Sequence, residues 1–249
     1  MRSLLRSEES TGGGIAFQHA PKPSVDGLPT FDAVGGRLRQ GVNRVELVAI
    51  DLEGSGAQDR DKEAILEIAL VPIVDWQPDM AASYCTLVNP GRSIPQRPWI
   101  SPGLTDAVLR DAPTLAEVEP ELARRINGKY LVGHNVGVDW RLLHRRCPHI
   151  AAAGLIDTLC LARQLNHRVK RSLTSVVDHF ALGQDVDQLA SGSAPHRALW
   201  DTAAVALLLP VLSRAIHGAG VRIGHLVEAA SVPTMDLHGV PRSQPSLFD

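Results

Sequence analysis

The sequence predicts an α/β fold: a mixed sheet of three antiparallel strands followed by parallel strands, flanked by helices. Three observations predict it. Three apolar, partly β-branched runs (residues 45–50, 64–73 and 83–88) follow one another closely enough for hairpin-like turns, as in an antiparallel meander. From Thr114 the apolar positions Leu115, Val118, Leu122 and Ile126 recur at helical spacing. Beyond them, short apolar runs alternate with helical patterns, the arrangement of parallel strand–helix units.

Each element has a local reason. The run VELVAI is bounded by charge and suits a central strand, and AILEIALVPI and SYCTLV supply its antiparallel neighbours. Asn89-Pro90-Gly91 then breaks the pattern. Thr114-Leu115-Ala116-Glu117 has the form of a capping box and opens a helix. Residues 129–133 read as a short buried strand, 138–146 as a helix, 155–159 as a further strand followed by a helix through Leu165, and 173–180 and 200–215 as helices. Gly12-Gly13-Gly14, Pro21, Pro23, Gly27, Pro29 and Gly35-Gly36 interrupt the N-terminal stretch too often for a long helix. The expected organisation is therefore an irregular extension over 1–44, from which a piece near 31–38 docks on the core, one domain over 45–217, and a tail over 218–249.

Composition bounds the function classes. At 249 residues and 44% hydrophobic, the chain can bury a sizeable core. A formal net charge of -2 gives no global attraction for a polyanion, so binding one requires a local basic surface or metal ions. Arg141, Arg145, Arg146, Arg163, His167, Arg168, Lys170 and Arg171 concentrate positive charge in mid-chain and are candidates for guiding a strand. Cys85, Cys147 and Cys160 form no CxxC pair, which favours free thiols in a reducing, cytoplasmic setting. The N-terminus has no signal-like apolar core, and the most apolar stretch, 203–212, carries Pro210, so no bilayer-spanning segment is expected.

The chemistry is concentrated in three segments. In VAIDLEGSG, Asp51 and Glu53 stand two apart, so on a strand both carboxylates project from one face. Two like charges in a half-buried place raise each other's pKa unless a cation neutralises them, and carboxylate oxygens suit Mg²⁺ or Mn²⁺. Gly54 and Gly56 would let a substrate approach the backbone closely. Asp139, in GHNVGVDW, falls at the start of a helix after a short strand, where His134 and Asn135 are polar hydrogen-bonding residues. In HRALWD, Asp201 opens an apolar helix and His196 follows a Gly/Ser-rich loop, from which a near-neutral imidazole can deprotonate water.

Taken together, these segments resemble the three motifs of the DEDDh exonuclease superfamily, which has an RNase H-like fold. The resemblance runs from about residue 45 to 212 and includes VNPG at 88–91, Gly103-Leu104-Thr105 and IDTLCLAR at 156–163. It implies two divalent ions, Mg²⁺ or Mn²⁺. On that resemblance Asp51 would bridge both, Glu53 and Asp201 would complete one site, Asp139 would help hold the second, directly or through water, and His196 would be the general base on the attacking water. Leu52, Gly54, Leu104, Thr105, His134 and Asn135 are the implied substrate contacts. The chain departs from the usual pattern at Gly54-Ser55, where paired threonines are common, and at Ser101-Pro102, where many relatives carry histidine.

The chain ends in QPSLFD, which resembles a bacterial sliding-clamp-binding peptide, with Gln244 fixing register and Leu247 and Phe248 filling a pocket. The implied activity is a 3′→5′ exonuclease acting on DNA 3′ ends. The alternatives are an exoribonuclease trimming RNA or oligonucleotides and, with less support because all five positions are intact, an inactive module binding nucleic-acid ends.

Overall fold

The computed structural model describes residues 45–235 and 241–242, apart from 96, 166–169, 219–220 and 233. The extension over 1–44, His167, Arg168 and the tail residues Gln244, Leu247 and Phe248 lie outside the described residues.

Strand β1 (Leu47–Gly54) is central. It pairs antiparallel with β2 (Ile65–Val74), from Leu47 opposite Ile73 to Glu53 opposite Glu67, with a bulge between Glu53 and Gly54. A 3₁₀ segment, Ala57–Lys62, joins the two strands. The short β3 (Gln77–Pro78) and β4 (Tyr84–Leu87) both pair antiparallel with β2. The chain then makes α1 (Asp106–Leu109) and α2 (Leu115–Ile126), where the Glu117 carboxylate accepts from the Thr114 N–H and hydroxyl at 2.7 and 2.8 Å, the expected cap.

Strand β5 (Tyr130–Gly133) returns parallel to β1, α3 (Val136–Arg146) follows, and β6 (Gly154–Asp157) lies parallel to β5. Helices α4 (Thr158–Ala162), α5 (Leu173–His179), α6 (Gly183–Leu189) and α7 (Ala198–His217) follow. Helix α8 (Ile223–Ala230) leads into β7 (Ser231–Val232), which pairs antiparallel with β6, and β8 (Thr234–Met235) pairs with β9 (Pro241–Arg242). The fold is the expected mixed sheet of antiparallel then parallel strands.

Side-chain alternation along β1 divides the core. Leu47 and Ala49 face α7, where Ala203, Ala206 and Leu209 pack with Val71, Val132 and Ile156. Val48 and Ile50 face the other way, against Leu122 and Ile126 of α2 and Leu143 of α3. Asp51 and Glu53 continue the odd-numbered row, so both point to the side covered by α7.

The helix expected over 200–215 forms, and it runs through Pro210. That proline is buried inside the 20-residue α7, and the packing on both sides of it outweighs a cost of about 3 kcal/mol for the lost backbone bond. By length and composition α7 could cross a bilayer, but two thirds of it is buried against the sheet, as a core helix is. Residues 221–232, expected as irregular tail, form α8 and β7 because Leu226 and Ala230 are buried in the α7-side core.

Candidate active site

The site gathers at the C-terminal end of β1. The oxygens of Asp51, Glu53 and Asp201 lie within 4.8 Å of one another. Asp51 and Glu53 come from one face of β1, and Asp201 comes from the first turn of α7, which packs on that face. Asp139 comes from the first turn of α3, is 9% exposed, and accepts a 3.0 Å hydrogen bond from the Leu52 N–H. That bond anchors α3 to β1 between the other two acids. His196 is exposed at the mouth of the site with a left-handed backbone (φ 65°), and its N–H donates to Asp201 Oδ1 at 3.3 Å.

All four carboxyls are pushed upward. Burial raises Asp51 well above the ordinary carboxylate range, and the charges of Asp139, Asp201 and Glu53 add to it. Burial lifts Glu53 to about 7 against the opposing hydrogen bond from the Ser101 hydroxyl. Asp139 rises to about 7 by burial despite the Leu52 N–H, and Asp201 to about 6 despite the His196 N–H. Four acids in this state cannot ionise together without a compensating cation. Their oxygen-only donor set fits a hard divalent ion, and Asp51, Glu53 and Asp201 are placed to hold one.

The other predicted contacts have partners of their own within the fold. Both His134 nitrogens are engaged: Nε2 donates to the Arg171 carbonyl at 2.7 Å and Nδ1 lies 3.0 Å from Thr158 Oγ1. Asn135 takes a left-handed turn before α3 and donates its N–H to Asp157. Leu104 is buried with Leu66, Ile94 and Leu109, so its side chain packs the core. Thr105 caps α1 by accepting from the Val108 N–H. Leu52 and Gly54 remain beside the acids on β1; a Cβ on Gly54 would come within 3.1 Å of Leu142.

Part of the basic cluster has partners within the fold. Arg141 makes a bidentate pair with buried Glu63, Arg145 reaches the same carboxylate, and Arg146 donates to the Glu63 and Asp61 carbonyls. These three guanidiniums brace α3 against the 3₁₀ segment, with the Arg141 and Arg145 side chains still 38% and 41% exposed. Sequence reasoning passed over Glu67, which sits opposite Glu53 in the ladder and pairs with Arg197. An acid in the middle of an otherwise apolar strand was the available signal.

A family model described as RNase_T exonuclease matches residues 48–209, which include all five residues of the site. The chain belongs to the RNase_T exonuclease family. Its similarity to curated proteins includes 33% identity over 140 residues to DNA polymerase III PolC-type of Thermotoga petrophila, covering 55% of this chain and 10% of that protein. It is also 30% identical over 184 residues to DNA polymerase III subunit epsilon-like protein of Rhodobacter capsulatus, covering 69% of this chain and 25% of the relative. The chain thus spans a quarter or less of the length of these two relatives. Among solved structures, Exonuclease X in complex with 5′ overhanging duplex DNA superposes with a TM-score of 0.57 at 26% identity, covering 74% of this chain and 98% of that one. For this member of the RNase_T family, the matched span contains the strands and helices that carry the acidic cluster.

Proposed function

We propose that this RNase_T family protein is a metal-dependent 3′→5′ exonuclease that hydrolyses the terminal phosphodiester of DNA and releases nucleoside 5′-monophosphates, in cytoplasmic replication, proofreading or repair. The observation that carries the reading is the convergence of Asp51, Glu53 and Asp201 within 4.8 Å, with Asp139 fixed to the same strand. The polymerase-related relatives and the DNA in the Exonuclease X structure favour DNA.

Asp51, Glu53, Asp139 and Asp201 would hold two ions, Mg²⁺ or Mn²⁺. Such ions supply Lewis acidity, which acidifies water and stabilises charge on the phosphate and the departing 3′ oxygen. His196, at the mouth, accepts the proton of the attacking water as its oxygen bonds to phosphorus and the P–O3′ bond breaks. The leaving oxygen takes a proton from solvent, and His196 returns its own. Leu52 and Gly54 flank the terminal nucleotide. The C-terminal Gln244, Leu247 and Phe248 dock on a bacterial sliding clamp.

Incubation of the protein and Asp51→Ala with Mg²⁺ or Mn²⁺ and 5′-labelled single- and double-stranded DNA and RNA tests the reading. A ladder shortening from the 3′ end, abolished in the variant and preferring DNA, is expected. RNA preference would transfer the activity to RNA trimming. End binding without cleavage would leave a binding module.

A further inference from the structure

A charged pair stands beside the acidic cluster without belonging to it. Glu67 faces Glu53 directly across the β1–β2 ladder, a position where like charges repel. It is 4% exposed, and its oxygens accept from Arg197 Nη2 and Nε at 2.7 and 2.8 Å and from the Ala198 N–H at 3.2 Å. Arg197 is the residue between His196 and α7. One carboxylate on β2 therefore holds both the side chain that follows His196 and the first turn of α7.

We propose that the Glu67–Arg197 pair is a positioning device for His196, locking the end of the 191–197 loop to β2 so that His196 faces the acids of β1 in a fixed orientation, while the apolar packing of α7 holds Asp201 in place without it. The proposal deepens the exonuclease reading and rests on it. An apolar contact could anchor α7 as strongly as a buried ion pair does. What the bidentate fork adds is direction, because two parallel N–H···O bonds fix the guanidinium plane and restrict the backbone that carries it. That restriction matters at the neighbouring residue. His196 holds a left-handed conformation, which costs a non-glycine residue about 1–3 kcal/mol unless its surroundings enforce it. On its other side the Arg197 side chain lies against the turn at Gly103, where an added Cβ would sit 3.9 Å from Nη1.

The test compares wild type, His196→Ala and the doubly neutral Glu67→Gln/Arg197→Gln in four readouts: Mn²⁺ binding by calorimetry, steady-state cleavage of a 5′-labelled oligonucleotide, rescue by added imidazole, and amide hydrogen exchange over 193–201. A wild type that does not shorten 3′ ends sinks the exonuclease reading by itself, while exchange still reports on the loop. With an active wild type, the double variant is expected to keep Mn²⁺ affinity and KM within about threefold and to lose kcat by about 10²-fold, the contribution of a placed general base. Imidazole is expected to restore part of its rate, as in His196→Ala, and exchange over 193–201 to quicken. Unchanged kcat, loss of Mn²⁺ binding, or a lost rate deaf to imidazole overturns the proposal. Should the double variant not fold, Arg197→Lys keeps the charge without the fork; about a tenfold drop in kcat is expected, and a wild-type kcat overturns it.

Discussion

Four carboxyl groups that resist ionisation tie stability to pH in the direction opposite to most surface acids. Glu53 and Asp139 at about 7 and Asp201 at about 6 bind protons in the folded protein that the unfolded chain has already released. Between the ordinary carboxylate range and these values the native state holds more protons, so stability falls as pH rises through that window. It is fully present below about pH 4, the unfolded carboxylate range, and lost once pH passes about 7. Metal-free protein is therefore expected to melt lower at pH 8 than at pH 5. Mn²⁺ is expected to raise Tm at pH 8 and barely change it at pH 5, where protons occupy the oxygens; a thermal melt with EDTA or Mn²⁺ at each pH checks this. At this scale the sequence was informative where chemistry is local, as in the two-residue spacing of Asp51 and Glu53. It was silent on partners set by the fold: nothing adjacent to Arg141 announces Glu63, and nothing adjacent to Leu104 announces its burial.

The junction of β5 and α3 determines where Asp139 stands. A Cβ on Gly133 would meet Val136 Cβ and Cγ2 at 2.8 Å and the Ile50 carbonyl at 3.2 Å, so the strand ends against both its own helix and the central strand. Gly133→Ala is expected to cost about 1–3 kcal/mol in a urea titration, as overpacking does, and to reduce exonuclease activity by displacing α3. Most elements of the sheet were legible because their apolar runs are dense, as in β2 and β5, or capped, as in α2. Strand β1 continues four residues past the apolar run that ends at Ile50, as the placing of Asp51 and Glu53 on one strand face requires, with its charged part paired with β2. Helix α6 was missed because GQDVDQL buries only Val186 and carries little periodicity, and α8 because no N-terminal capping residue of the usual kind precedes it.

At the scale of the molecule, the sheet closes with the antiparallel strand β7, delivered by α8 onto the edge of β6. Removing residues 218–249 uncovers that edge and the core positions packed on Leu226 and Ala230. A chain truncated there is expected to have a lower urea midpoint and to aggregate through the exposed edge, measured by denaturation and light scattering beside the full chain. The same architecture sets when the acidic cluster comes into being. Asp51 lies on the first strand and Asp201 on a helix that must dock across β1 and β2 late in the chain. A nascent polypeptide leaving the ribosome holds two of the acids early, the third after α3, and the last only when α7 has emerged and settled on the sheet. Synthesis thus proceeds with the four carboxylates still apart, and the candidate centre is assembled only as the chain finishes folding.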